Sequence, residues 1–166
     1  MRRERRSPPR SGLQGFTLIE MLVTLALLSL LTVAALPLAE SVKRRSDESE
    51  LRRALVTIRG ALDAYKAAYD AGRIERTVGK SGYPPNLRIL VDGVEDKSAG
   101  GTGQLYFLRR IPADPFCDCE GKAPENTWET RSYDSDPETF ASGEDVYDVR
   151  STSRKESLNG TPYNEW

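Results

Sequence analysis

Three textures succeed one another along the chain. From Phe16 to Ala39 the residues read FTLIEMLVTLALLSLLTVAALPLA, with Glu20 the single charge. At about 1.5 Å per residue a helix of that length spans roughly 36 Å, enough to cross a bilayer core. The spacing then changes. Leu51, Leu55, Ile58, Leu62, Tyr65 and Tyr69 recur in steps of four and three, while Arg52, Arg53, Arg59, Asp63 and Lys66 take the other faces. This predicts an amphipathic continuation of the helix over 40–72, seated on a small sheet. Pro37 lies inside the run and is expected to kink it or loosen one turn, because its ring removes a backbone donor and crowds the preceding turn. Gly72 is the expected helix stop.

Beyond Gly72, Gly82, Pro84-Pro85, Asp92-Gly93, Gly100-Gly101 and Gly103 punctuate short apolar pieces. A short helix is predicted at Leu87–Leu90 and strands at Tyr106–Leu108, Arg131–Tyr133 and Asp145–Val149, together one three-stranded antiparallel sheet. The fold class read from this pattern is α+β: a long N-terminal helix, transmembrane in its first half, packed on a small C-terminal antiparallel sheet. The chain then has four parts: a basic leader over 1–15, a membrane helix over 16–39, its amphipathic continuation over 40–72, and a body over 73–166.

Charge sharpens the picture. The chain of 166 residues has a net charge of -1. That value conceals five Arg against one Glu in residues 1–15 and nine basic against sixteen acidic residues in 81–166. The basic leader holds its end of the apolar helix in the cytoplasm and places the body outside it; Lys43, Arg44 and Arg45 oppose this more weakly. Nucleic acid is disfavoured as a partner, because the acidic body repels phosphate. With no His in the sequence, His-dependent triads and His-containing zinc sites are excluded. A signal peptide cut near Ala39 is a competing reading, but the apolar run exceeds the usual span of about 7–15 residues. A plain single-pass anchor competes too, yet leaves unexplained a carboxylate inside the apolar segment, where it is costly without a cation.

Gly15-Phe16-Thr17-Leu18-Ile19-Glu20 resembles the processing site of type IV prepilins and type II secretion pseudopilins. The resemblance implies cleavage between Gly15 and Phe16 by a prepilin peptidase, N-methylation of Phe16, and a Glu20 that neutralises the new ammonium of a neighbouring subunit. It also implies that Pro37 marks a point where the helix partly melts during assembly. Tyr83-Pro84-Pro85-Asn86-Leu87, the run from Tyr106 to Phe116 with Ile111-Pro112-Ala113-Asp114-Pro115, and Gly143-Glu144-Asp145-Val146-Tyr147-Asp148 resemble, in order and spacing, the body of G-type major pseudopilins. This wider resemblance implies a type IV pilin-like fold and a non-enzymatic homopolymer in a periplasmic pseudopilus. Its partners are the inner membrane, other pseudopilins and the inner-membrane assembly platform. A surface type IV pilin is the alternative, and a membrane-anchored enzyme or metal-binding module a third reading for which catalytic residues are missing.

Members of that family often bind calcium in the loop after the last strand. Here Arg150, Arg154 and Lys155 crowd that loop and its Gly-Ala-Asp-Gly turn is missing, so a solvated loop is expected in place of a calcium site. Asp145, Asp148, Ser151 and Ser153 are the ligands that remain. Cys117-Asp118-Cys119 holds the only cysteines, and in an oxidising compartment they form a local disulfide or stay as two free thiols. Trp166 is expected to dock on the sheet.

Overall fold

A computed structural model describes residues 15–98, 100, 103–136 and 138–166, excluding the side chains of 33–37. Of the basic leader over 1–15, residues 1–14 lie outside the described residues. The chain divides into two units, Met1–Val42 and Lys43–Trp166. Helix α1, Leu18–Asp70, supplies the first unit and opens the second.

In the first unit Phe16 and Thr17 precede the helix, and Thr17 Oγ1 accepts the Glu20 amide at 3.2 Å. Thr17-x-x-Glu20 thus has the spacing of a capping box, in which a side chain satisfies one of the amide donors that the first turn leaves open. The helix continues through Pro37. The family's assembly role for Pro37 concerns a residue whose side chain is outside those described. Among the described residues no helix is long and apolar enough to cross a membrane.

In the second unit the predicted stripe is the core. Leu51 and Ile58 are 0% exposed, and Leu55, Leu62 and Tyr65 are buried beside them. They pack with Leu87, Leu90, Ile111, Trp128, Val146, Val149 and Tyr163. Removing each such side chain from water stabilises by roughly 1.5–3 kcal/mol, and this seats the helix on the body. At the end of α1 the Arg73 amide donates to Ala68 O (2.9 Å) and the Gly72 amide to Tyr69 O (3.0 Å), with Gly72 at φ 72°. This closing pattern satisfies the last carbonyls and needs a left-handed residue, which glycine supplies without a Cβ penalty. Gly82 is required differently: at φ 89° a Cβ there would stand 2.6 Å from the Tyr69 ring.

Helix α2 is Ile89–Asp92, two residues beyond its expected start. The expected three-stranded sheet is replaced by two separate two-stranded ribbons. The first pairs β1, Val94–Glu95, with β2, Gln104–Leu105; the second pairs β3, Trp128–Arg131, with β4, Asp148–Ser151, both antiparallel. Tyr106–Leu108 forms no strand, because the amides of Phe107 and Leu108 both donate to Leu90 O and tie this segment to α2. The strand expected at 131–133 lies earlier, since Ser132 and Tyr133 turn toward Asp145, and the strand at 145–149 lies later, since the Val146 amide is drawn to Pro84 O. Trp166 packs edge-on to Tyr163 and against the core, and carries the Arg52 guanidinium of α1 4.5 Å over its ring.

Candidate functional site

The Gly15–Phe16 bond lies ahead of the first helical turn. Nothing stands within 4 Å of a Cβ built on Gly15, and Phe16 is 77% exposed, so the backbone there is open to an enzyme. Down the following helix Leu18, Ile19, Met21, Leu22, Val23, Leu25, and onward to Leu31 are all at least half exposed. An apolar surface on every side of a helix is not a resting state in water; it belongs in a bilayer or against other helices. Glu20 sits one turn into this surface, and among the described residues it forms no salt bridge. Its chemistry therefore asks for a cationic partner. These side chains need no elaborate placement.

The body is closed by polar pairs between α1 and the C-terminal segment. Glu48, buried on α1, accepts the Leu158 amide at 2.7 Å and the Tyr163 hydroxyl at 3.0 Å through Oε1. Arg44 donates to the same hydroxyl at 3.2 Å and to Glu156 O. Burial pushes the Tyr163 phenol up, and the Arg44 hydrogen bond opposes it. Beside Ile58 of the core stripe, Arg59 donates to Asp148 Oδ1 (2.8 Å), Val149 O (3.1 Å) and Trp166 O (2.9 Å).

Asp114 is a buried tie, a role that its place in the sequence motif did not indicate. Its Oδ2 accepts from the Ser151 hydroxyl (2.7 Å) and the Thr152 amide (3.1 Å), and its Oδ1 from the Phe116 amide (2.9 Å). It joins the turn that carries the cysteines to the end of β4. The only signal in the sequence is a carboxylate between two prolines, Pro112 and Pro115. Cys117 and Cys119 are bonded to each other.

The four candidate calcium ligands do not converge. Asp145 accepts from the hydroxyls of Ser81 and Ser132 and from the Tyr133 amide. Asp148 is taken by Arg59 and the Val149 amide. The Ser151 hydroxyl is given to Asp114 and accepts the Ser153 amide at 3.0 Å. Among the described residues no three His, Cys, Asp or Glu gather in a group suited to a metal. Calcium takes six to eight oxygens, and this set as folded does not fit it.

Comparison with known proteins decides the family. The family described as the prokaryotic N-terminal methylation motif matches residues 10–36, the stretch that holds Gly15, Phe16 and Glu20. A type II secretion system core protein G from Klebsiella pneumoniae is 30% identical over 107 residues, covering 62% of this chain and 69% of the relative. The chain belongs to the type II secretion system core protein G family. A second core protein G, from Klebsiella michiganensis, is 25% identical over 111 residues, covering 64% of this chain and 70% of that protein. No solved structure matches significantly. The long N-terminal helix followed by a short helix and small antiparallel ribbons is consistent with the pilin-like α+β fold.

Proposed function

We propose that the chain is a structural subunit of a type II secretion pseudopilus, joined to other pseudopilin subunits through the N-terminal helix. The observation that carries this reading is the run of exposed apolar side chains from Phe16 to Leu31. Each side chain of this kind moved out of water contributes roughly 1.5–3 kcal/mol, which favours a bilayer or a helix bundle over water, and between helices the attraction is van der Waals packing.

A membrane prepilin peptidase cuts after Gly15, and the new terminus at Phe16 is methylated. The resulting ammonium pairs with Glu20 of the neighbouring subunit inside the bundle, and this charge pair sets the stagger while apolar packing sets the strength. Before assembly the helix over 16–39 is held in the inner membrane with the body in the periplasm. The assembly platform in that membrane extracts subunits into the fibre, whose growth drives protein export across the outer membrane. The protein has no catalytic step and no cofactor. One cavity of about 680 Å³ is lined by Asn86, Arg88, Glu125 and Trp128, but Arg88 is already engaged by Glu125 at 3.0 Å, a salt bridge in place of a reactive pair. Calcium is not required.

Intact-mass spectrometry of the protein extracted from membranes tests this reading. The expected mature chain begins at methylated Phe16; one beginning near Glu40 refutes it.

A further inference from the structure

A cavity of about 420 Å³ opens between α1 and the segment around Phe107–Pro112. Its floor is apolar, formed by Ala54, Phe107, Leu108 and Pro112, and its rim carries Arg53, Arg109 and Arg110 with one acid, Glu50. All three arginines are exposed, and among the described residues none of them is in a salt bridge. Elsewhere on the body a short loop carries Asp134, Asp136 and Glu138, which likewise form no salt bridge among the described residues. Each surface is what the other lacks.

We infer that this arginine-rimmed cavity receives the acidic loop, with Asp134, Asp136 and Glu138, of a second copy of the chain. The inference rests on the reading that the chain polymerises and names the contact between bodies in the polymer. The two surfaces are different parts of one molecule, so their contact is head-to-tail, the class that extends into an open helical filament instead of closing a dimer. The loop is built to be presented. The Glu138 amide is held by Asp136 Oδ1 at 2.9 Å and the Ala141 amide by Ser135 Oγ at 2.9 Å. Phe140, at φ 45°, anchors the loop under Arg150, whose guanidinium lies 4.1 Å from its ring. A left-handed backbone at a bulky residue is costly and persists only where its surroundings fix it. Backbone held by such bonds at Glu138 and Ala141 loses less entropy on docking than free backbone. Tyr133 stands beside Asp134, 55% exposed although stacked on Tyr83, and offers an aromatic face to the apolar floor.

Charge exchange in the full-length chain tests the contact, with fibres sheared from cells that carry its secretion apparatus and overproduce the chain. Arg109→Glu with Arg110→Glu is expected to reduce fibre yield at least about tenfold, and Asp134→Arg with Asp136→Arg to do the same, because like charges then face each other. All four substitutions together are expected to restore the yield to within about threefold of the unaltered chain, which misfolding of either half would not allow. The inference is overturned if either one-sided variant assembles normally, or if the four-fold exchange assembles no better than the one-sided variants. Absence of fibres from the unaltered chain would instead count against the polymer reading itself.

Discussion

Replacing Glu48 with Ala tests what fixes the C-terminal segment to the helix. Glu48 is 9% exposed, and its Oε1 takes the Leu158 amide at 2.7 Å and the Tyr163 hydroxyl at 3.0 Å. Hydrogen bonds to a charged group are each worth about 1.5–3 kcal/mol. Two features reduce the sum. Leu158 is 47% exposed, so water reaches its freed amide, and the Tyr163 oxygen keeps its bond from Arg44. Alanine also returns a few tenths of a kcal/mol of helix propensity. The net loss expected is about 2–3 kcal/mol for Glu48→Ala and about 1–2 kcal/mol for Tyr163→Phe, which removes the bond to Glu48 and the half-exposed bond from Arg44 and keeps the ring stacked on Phe116 at 3.8 Å. Urea unfolding of the body from Lys43 onward reads both as shifts of the midpoint at constant slope. In the double variant the losses should overlap by about 1 kcal/mol, since the two changes share a bond. A loss under about 0.5 kcal/mol for Glu48→Ala, or strictly additive losses, refutes the reasoning.

Glu20→Ala should leave membrane insertion and cleavage after Gly15 intact but abolish fibre growth, because the Phe16 ammonium loses its counter-charge in a low-dielectric bundle; normal fibres from an overproduced variant would contradict this. Calcium should leave the melting temperature of the body within about a degree, whereas a micromolar site in millimolar calcium would add roughly 4 kcal/mol and a rise of many degrees that Asp148→Ala abolishes.

The helix was legible in the sequence because its two jobs leave two different periodicities. Leu51, Leu55, Ile58, Leu62 and Tyr65 have the spacing of one face and are all buried, while the uninterrupted run before them has no face and is exposed where described. The family was legible for the same reason: the Gly15 to Glu20 motif combines an open peptide bond with a carboxylate in apolar surroundings, and few other functions require both. The sheet was not legible. With two to four residues per strand, alternation carries little information, and long-range bonds decide where pairing begins. Leu90 O captures two successive amides and removes a predicted strand, and Asp145 captures Ser132 and Tyr133 and shifts another. Asp145 and Asp148 were read from the sequence only as the ligands that remain for a metal. Asp114, Asp145 and Asp148 instead hold the chain's own loops, a use that composition cannot distinguish from exposure.

This division of polar and apolar surface bears on how a fibre grows with a defined symmetry. The large apolar side chains exposed on the body, Val56, Val78, Tyr106, Tyr133 and Leu158, are scattered, whereas those of the first unit run consecutively along one helix. Single exposed apolar residues give little attraction, so bodies meeting in solution have no strong reason to adhere. Adhesion is thereby reserved for subunits whose helices are already side by side. Apolar packing along those helices is strong but nearly indifferent to sliding, since one leucine-rich turn resembles the next. A charge such as Glu20 within the helix, and the opposed Arg109–Arg110 and Asp134–Asp136 surfaces on the bodies, penalise every stagger except those that bring opposite charges together. Strength and register thus come from different residues. A variant of the body charges should therefore lose or disorder the fibre while the subunit remains inserted and processed, a separation of phenotypes that purely hydrophobic assembly would not produce.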